Sequence, residues 1–261
     1  MKQENKEFSM GERLYAPREH LTTDQTGGVM AHLDRYRFVL QFITGKELII
    51  DAACGSGYGS ELLAAHAKNV IGLEINDHAL TYARKNHQKT NIEFQKSNLN
   101  QSIKLPDNCA YIIVSFETLE HLVNQDIMLA EFKRILKPNG LCIISTPDKD
   151  LISGGLQSDN PFHAKELTKK EFIALMKRHF VLESLYGQMQ TTALPLWKQR
   201  IKSLRVFTPL RRVKQFIVKI LGLQKFVHKH FAAEQYSPIQ RVAITEPNQF
   251  YVLIAVCRNV K

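Results

Sequence analysis

The stretch Glu47-Leu-Ile-Ile-Asp51-Ala-Ala-Cys-Gly55-Ser-Gly57-Tyr-Gly59 decides the fold, together with Val70-Ile-Gly-Leu-Glu74 beyond it. A short apolar run ending in a carboxylate reads as a buried strand. The glycines let the backbone turn sharply and come within contact distance of a ligand. A helix follows through Ala67, and its first N–H groups are left unpaired, which suits a carboxylate. Val70–Glu74 reads as the second strand. Glu74 stands 19 residues after Gly55, where a carboxylate can accept hydrogen bonds from both hydroxyls of a ribose.

Outward from this centre, strands and helices alternate. Leu33, Tyr36, Leu40 and Ile43 recur at helical spacing and predict a helix from Val29 to Ile43. A helix is expected from Asp77 to about His87, then strands at Ile92–Gln95 and Ala110–Phe116. A helix over Asp126–Leu136 should close at the turn Lys137-Pro-Asn-Gly140. Leu141–Ser145 reads as a fifth strand, 148–163 as a loop, and Thr168–Arg178 as a helix. Strands at Phe180–Tyr186 and Gln249–Cys257 complete the set. Near-continuous apolar strands separated by helices predict an α/β fold with a mostly parallel sheet covered on both faces.

Composition narrows the class. Of 261 residues, 44% are hydrophobic and 23% charged, as in ordinary globular domains. No apolar run reaches the roughly 18–20 residues of a membrane span. The opening Met-Lys-Gln-Glu-Asn-Lys-Glu-Phe-Ser-Met has no apolar h-region, so no secretory signal is expected. Cys54, Cys109, Cys142 and Cys257 form no Cys-x-x-Cys pair, and the last three fall in strand-like runs. Free buried thiols in the cytoplasm, without disulfide or zinc, are the expectation.

The net charge of +10 is concentrated. Ten Lys and Arg lie from Lys198 to Lys229, with no Asp or Glu between Glu183 and Glu234. The other 25 of the 35 basic residues match the 25 acidic ones. The chain therefore divides into a polar leader at 1–27 and one domain at 28–261, which carries a basic helical insertion at about 188–236. Within it Leu210, Val213, Phe216, Ile217, Ile220 and Leu221 fall on one helical face, with Arg211, Arg212 and Lys219 off it. Such a helix packs on the body of the domain, or lies on an anionic membrane through 198–230. Nucleic acid is a third reading, and no recognised RNA-binding motif accompanies the charge.

Two cofactor classes suit the glycine loop. A dinucleotide site would read G-x-G-x-x-G, but its sixth position here is Ser60. The loop instead resembles the D-x-x-C-G-x-G-x-G loop of class I S-adenosylmethionine-dependent methyltransferases. The resemblance runs from about Tyr15 to Gln188 and resumes at the last strand. Beyond the loop it is carried by His32-x-x-Arg35-Tyr36, Ser115-Phe-Glu-Thr-Leu-Glu-His121, Leu136-Lys-Pro-Asn-Gly140, Ser145-Thr-Pro-Asp148 and Asn160-Pro-Phe-His163. It looks closest to bacterial methyltransferases encoded with cell-surface polysaccharide genes, and more distantly similar to ubiquinone-pathway O-methyltransferases. It implies a Rossmann-like, seven-stranded sheet whose last strand is antiparallel.

By that resemblance the cofactor is S-adenosyl-L-methionine, bound by Arg35, Asp51, Gly55, Gly57, Glu74, Ile75, Asn98, Leu99 and Phe116. Arg35 would pair with the methionine carboxylate, Asn98 and Leu99 would meet the adenine, and Phe116 the methionyl part. Many relatives carry Asp where Asn98 stands; its side-chain carbonyl can still accept from the adenine amino group. Glu117-x-x-Glu120-His121 should lie at the carboxyl edge of the sheet, with His163 arriving from the loop after the fifth strand. Catalytic roles fall to His121, His163 and Glu120. The set Glu117, Glu120, His121 and His163 resembles that of plant small-RNA terminal 2′-O-methyltransferases and implies Mg2+ or Mn2+. Metal-free base catalysis by His121 or His163 is the other reading.

The expected reaction is O-methylation of a sugar hydroxyl on a surface polysaccharide or its lipid-linked precursor. The expected place is the cytoplasm, or the inner face of the membrane. A phenol or an RNA ribose is an alternative acceptor, and a fold relative that binds cofactor without catalysis is an alternative class.

Overall fold

In every central strand, neighbouring residues point to opposite faces, and each face has its own cover. The computed structural model describes residues 23–156, 160–189, 239–245 and 249–260. Ile50, Ile113, Ile144 and Leu253 pack on one side with Met128, Phe132, Phe172 and Leu175. Ile49, Ile112, Ile143 and Ile254 pack on the other with Tyr36, Val39 and Leu63. This alternation makes three layers from near-continuous apolar runs.

The elements in chain order are α1 (Thr23–Val39), β1 (Leu48–Ala52), α2 (Tyr58–Ala64), β2 (Asn69–Glu74), α3 (Asp77–Asn86) and β3 (Ile92–Lys96). Then come β4 (Ala110–Ser115), α4 (Gln125–Ile135), β5 (Leu136–Pro147), α5 (Lys149–Ser153), α6 (Lys169–His179), β6 (Val181–Gln188), β7 (Ile239–Arg241) and β8 (Val252–Arg258). Single 3-10 turns occupy Leu40–Phe42 and Leu119–His121. The strand order is β3-β2-β1-β4-β5-β8-β6-β7. Strands β1 to β5 pair in parallel, while β8 runs antiparallel to both β5 and β6. The order reverses between β1 and β4, and ligands of open α/β sheets bind outside that point.

The sequence expectation of seven strands is corrected to eight. The added strand, β7, pairs antiparallel with Tyr186–Gln188 at the edge of the sheet. Its three residues, Ile239-Gln-Arg241, are too few and too polar to show an apolar period.

Smaller differences have local causes. Helix α1 begins at Thr23, inside the stretch read as leader. Lys137-Pro-Asn-Gly140 is not a free turn but a bulge within β5: Ala110 pairs with Leu136, and Ile112 next with Leu141. Asn139 takes the left-handed conformation there (φ +63°). The 148–163 stretch contains α5, whose N-cap Asp148 accepts from the Asp150 amide. Helix α6 starts with a capping box in which Thr168 and Glu171 satisfy each other's backbone N–H. The basic stretch from residue 190 onward, and with it the helical face at 210–221, lies outside the described residues. Among the described residues no helix is long and apolar enough to cross a membrane.

Candidate active site at the carboxyl edge of the sheet

The turn after β1 is built on positive φ angles at Ala53 (+63°), Gly55 (+56°) and Gly57 (+88°). At Gly55 a Cβ would meet nothing within 4 Å, so the backbone angle alone calls for glycine. At Gly57 a Cβ would come 2.8 Å from the Phe94 ring, so this residue serves packing as well as turn geometry. Glu74, at the tip of β2, accepts from the Gly55 amide through Oε2 (3.1 Å) and from the Asn76 amide through Oε1 (2.9 Å). These two bonds fix the carboxylate at the glycine turn.

Asp51 faces the protein. Its oxygens accept from Tyr36 Oη (3.0 Å) and Ser60 Oγ (2.6 Å), tying β1 to α1 and α2. Burial pushes its carboxyl up to about 6 against those two favourable hydrogen bonds. Tyr36 also packs edge-on against Phe116, with ring centroids 5.0 Å apart. His32 joins this cluster and shares a hydrogen bond with Tyr58 Oη through Nδ1. Burial, and then the Arg35 charge, hold His32 well below the usual imidazole range, so it is neutral.

Arg35 is 5% exposed. Its Nε donates to Gln188 Oε1 (2.8 Å). Its Nη1 lies 3.4 Å from Glu117 Oε1 and makes no hydrogen bond among the described residues. A buried guanidinium nitrogen without an acceptor is costly. It is also what a site for an anionic group would present. Ile75 is an exposed apolar side chain beside Glu74. Asn98 Oδ1 accepts from the Asn100 amide (3.0 Å), and Leu99 joins the core.

The residues after β4 form the other half of the site. Glu117 has φ +49°. Its amide donates to Ser145 Oγ (3.1 Å), and that hydroxyl donates to Glu117 Oε1 (2.7 Å). Glu120 is 1% exposed and accepts from Thr146 Oγ1 (3.1 Å). Burial, then the nearby Glu117, push its carboxyl well above the usual range. His121 Nδ1 lies 2.8 Å from the Phe162 carbonyl, which can only accept, so this nitrogen carries the proton. His163 Nδ1 faces Glu166 Oε1 in the same way, and Glu166 also accepts from Ser153 Oγ.

The two imidazoles meet edge to face, with centroids 5.1 Å apart. Glu120, His121 and His163 each offer a ligand atom, all within 4.8 Å of one another. Glu117 is corrected out of the predicted metal set, because its carboxylate turns to Ser145 and Arg35. Gln125 Nε2 staples the two segments by donating to the carbonyls of Leu119 and Lys165.

The sequence reading missed Gln188, Glu166, Ser153 and Tyr58 as parts of this site. Glu166 follows His163 at i+3, a spacing that could have flagged it. Nothing local marks Gln188, which reaches Arg35 across 153 positions of chain.

A doubly wound sheet with this glycine turn and a carboxylate on it is an open α/β framework of the kind that binds ligands at the carboxyl ends of its strands. The profile of the methyltransferase domain family matches residues 43–207, and the chain belongs to that family. It is 34% identical over 130 residues to a probable S-adenosylmethionine-dependent methyltransferase of Mycolicibacterium smegmatis, covering 49% of each chain. It is 28% identical over 120 residues to the ubiquinone biosynthesis O-methyltransferase of Pasteurella multocida, covering 42% of this chain and 49% of that one. The chain thus spans about half the length of these relatives. The solved S-adenosylmethionine-dependent methyltransferase of Mesorhizobium loti shares the fold, with a TM-score of 0.54 and 15% identity over 87% of this chain and 99% of that one.

Proposed function

We propose that this protein uses S-adenosylmethionine to methylate a hydroxyl group, on a sugar of a surface polysaccharide or of its lipid-linked precursor. The observation that carries methyl transfer to oxygen is the pair of oriented imidazoles, His121 and His163, beside buried Glu120 at the edge where the glycine turn opens. When bound, the cofactor supplies an electrophilic methyl group on sulfonium.

The residues present fit that group. Glu74 is anchored to hold the ribose hydroxyls, and Arg35 Nη1 has no acceptor of its own among the described residues. Asp51 acts behind the loop by fixing α1 and α2 against β1. At the reacting end His163 takes the proton of the acceptor hydroxyl, and Glu166 stabilises the imidazolium that forms. His121, tied to the Phe162 carbonyl, orients the same hydroxyl.

A metal-assisted version is favoured by one observation. Glu120, His121 and His163 converge, while Phe162 and Glu166 occupy the outer nitrogens as second partners usually do at metal sites. Two nitrogens and one oxygen suit Mn2+ better than Mg2+, which prefers oxygen donors. The three groups would hold the ion and the ion would acidify the bound hydroxyl.

The sugar acceptor is supported by the resemblance to methyltransferases of polysaccharide gene clusters. The ubiquinone-pathway relative keeps a phenol open as the alternative. The basic stretch at 198–230 supports peripheral contact with an anionic membrane from the cytoplasmic side. The test is release of S-adenosylhomocysteine with sugar, glycolipid and phenolic acceptors, before and after exhaustive chelation. Activity retained without metal removes the metal-assisted version, and wild-type turnover by both His121→Ala and His163→Ala removes the base mechanism. Vesicle sedimentation unchanged by deleting 198–230 removes the membrane contact.

A further inference from the structure

The arginine of the cofactor half is held by a residue from the far end of the chain. Gln188 ends β6, paired with Val252 of β8 and Ile239 of β7, and is 1% exposed. Its amide makes two bonds to α1. Oε1 accepts from Arg35 Nε (2.8 Å), and Nε2 donates to the Ala31 carbonyl (2.9 Å), one turn earlier on the same helix. The two partners fix which way the amide faces. Reversed, its NH2 would point at the guanidinium and its oxygen at a carbonyl, two repulsive contacts in place of two bonds.

Two properties of Gln188 then matter for Arg35. The first is direction. With Nε held, the planar guanidinium cannot swing, and among the described residues Nη1 meets no hydrogen-bond acceptor. The second is charge. A glutamate at this place would set a second carboxylate against Arg35, whereas a neutral amide spends one N–H and adds no charge. Glu117, the carboxylate that already pairs with Arg35, stands 3.4 Å from Nη1 and is also engaged by Ser145.

We infer that Gln188 is the positioning residue that aims the Arg35 guanidinium at the cofactor's amino-acid carboxylate and keeps its charge available for it. The inference rests on the reading of Arg35 as the carboxylate's partner. It makes cofactor affinity depend on the strands at the end of the chain, which supply the wall behind Arg35.

The test uses the full chain and two probes in titration calorimetry: S-adenosylhomocysteine, and 5′-methylthioadenosine, which keeps the nucleoside and thioether but has no carboxylate. Gln188→Glu should weaken S-adenosylhomocysteine roughly ten- to hundredfold, as for loss of a hydrogen bond to a charged group, and 5′-methylthioadenosine by less than about twofold. Gln188→Met, which frees the guanidinium without adding charge, should give a smaller loss with the same selectivity. Equal losses for both probes, or none, overturn the inference. If thermal melting shows that Gln188→Glu does not fold, Gln188→Met decides by the same criterion. Arg35→Met separates the two levels. If it leaves the preference between the probes unchanged, the reading of Arg35 itself fails. If it abolishes the preference while both Gln188 variants keep it, only the role of Gln188 fails.

Discussion

Replacing Asp51 by Asn should stabilise the protein above pH 6 and not below pH 4. Asp51 is buried, and its carboxyl is raised from 3.8 to about 6, chiefly by desolvation. A raised acid in the folded state holds its proton where the unfolded chain has lost it. Below about pH 4 both states are protonated and the group costs nothing. Between about pH 4 and 6 the unfolded chain releases a proton that the folded one keeps, so stability falls as pH rises. Above about pH 6 the full penalty remains, about 3 kcal/mol at roughly 1.4 kcal/mol per tenfold change in proton affinity. Asn keeps the shape and cannot ionise. Its oxygen can accept from Tyr36, and the Ser60 hydroxyl can turn to accept from its NH2. The assay is urea denaturation followed by circular dichroism from pH 4 to 8. The advantage of Asp51→Asn should grow by about 3 kcal/mol across pH 4 to 6 and then level off. An advantage that does not change with pH, or one that shrinks as pH rises, would refute the reasoning.

Four further outcomes are expected. Glu74→Gln should weaken S-adenosylhomocysteine roughly ten- to hundredfold in calorimetry, because an NH2 must replace one oxygen that now accepts from Gly55 or Asn76. Glu166→Gln should lower kcat by about ten- to hundredfold with S-adenosylhomocysteine affinity unchanged, since Glu166 faces His163 in the acceptor half; an equal loss of cofactor affinity would count against that role. Gly55→Ala should cost about 1–2 kcal/mol from its positive φ alone, with open space around the new methyl. Gly59→Ala should cost about 3 kcal/mol or more, because its Cβ would overlap the Tyr36 ring. Thermal or urea unfolding ranks the two glycine variants.

The parts legible in sequence are those written by local chemistry. Ile49, Ile50, Ile112 and Ile113 announce doubly covered strands because a buried parallel strand needs apolar residues on both faces. Gly55 and Glu74 are readable because a ligand-binding turn and its carboxylate sit at a spacing set by one helix and one strand. The Glu117-to-His121 motif was visible too, yet its division was not. The positive φ of Glu117 and the hydroxyl of Ser145 send that carboxylate toward Arg35, and no pattern in one chain encodes this. Gln188 was hidden for a different reason, and Glu166 showed only in its i+3 spacing from His163. Each meets another side chain of the site, and such a partner needs only a neutral or acidic oxygen at the right place. β7 was hidden because three paired residues suffice to extend an edge when β6 is already in place.

That division of Glu117 and Glu120 bears on how the two halves of the site work together. Burial and then Glu117 already push the Glu120 carboxyl up, and a Glu117 turned into the imidazole cluster would crowd it further. Arg35 draws Glu117 off, standing 3.4 Å from it, while Thr146 holds Glu120 among the histidines. The same guanidinium therefore faces the cofactor half with an unused N–H and the acceptor half with its charge. Without Arg35, Glu117 would lose the charge that draws it away and could crowd Glu120 among the imidazoles. Arg35→Met should therefore reduce kcat as well as cofactor affinity when assayed at saturating cofactor; a change confined to KM for the cofactor would show that the two halves act independently.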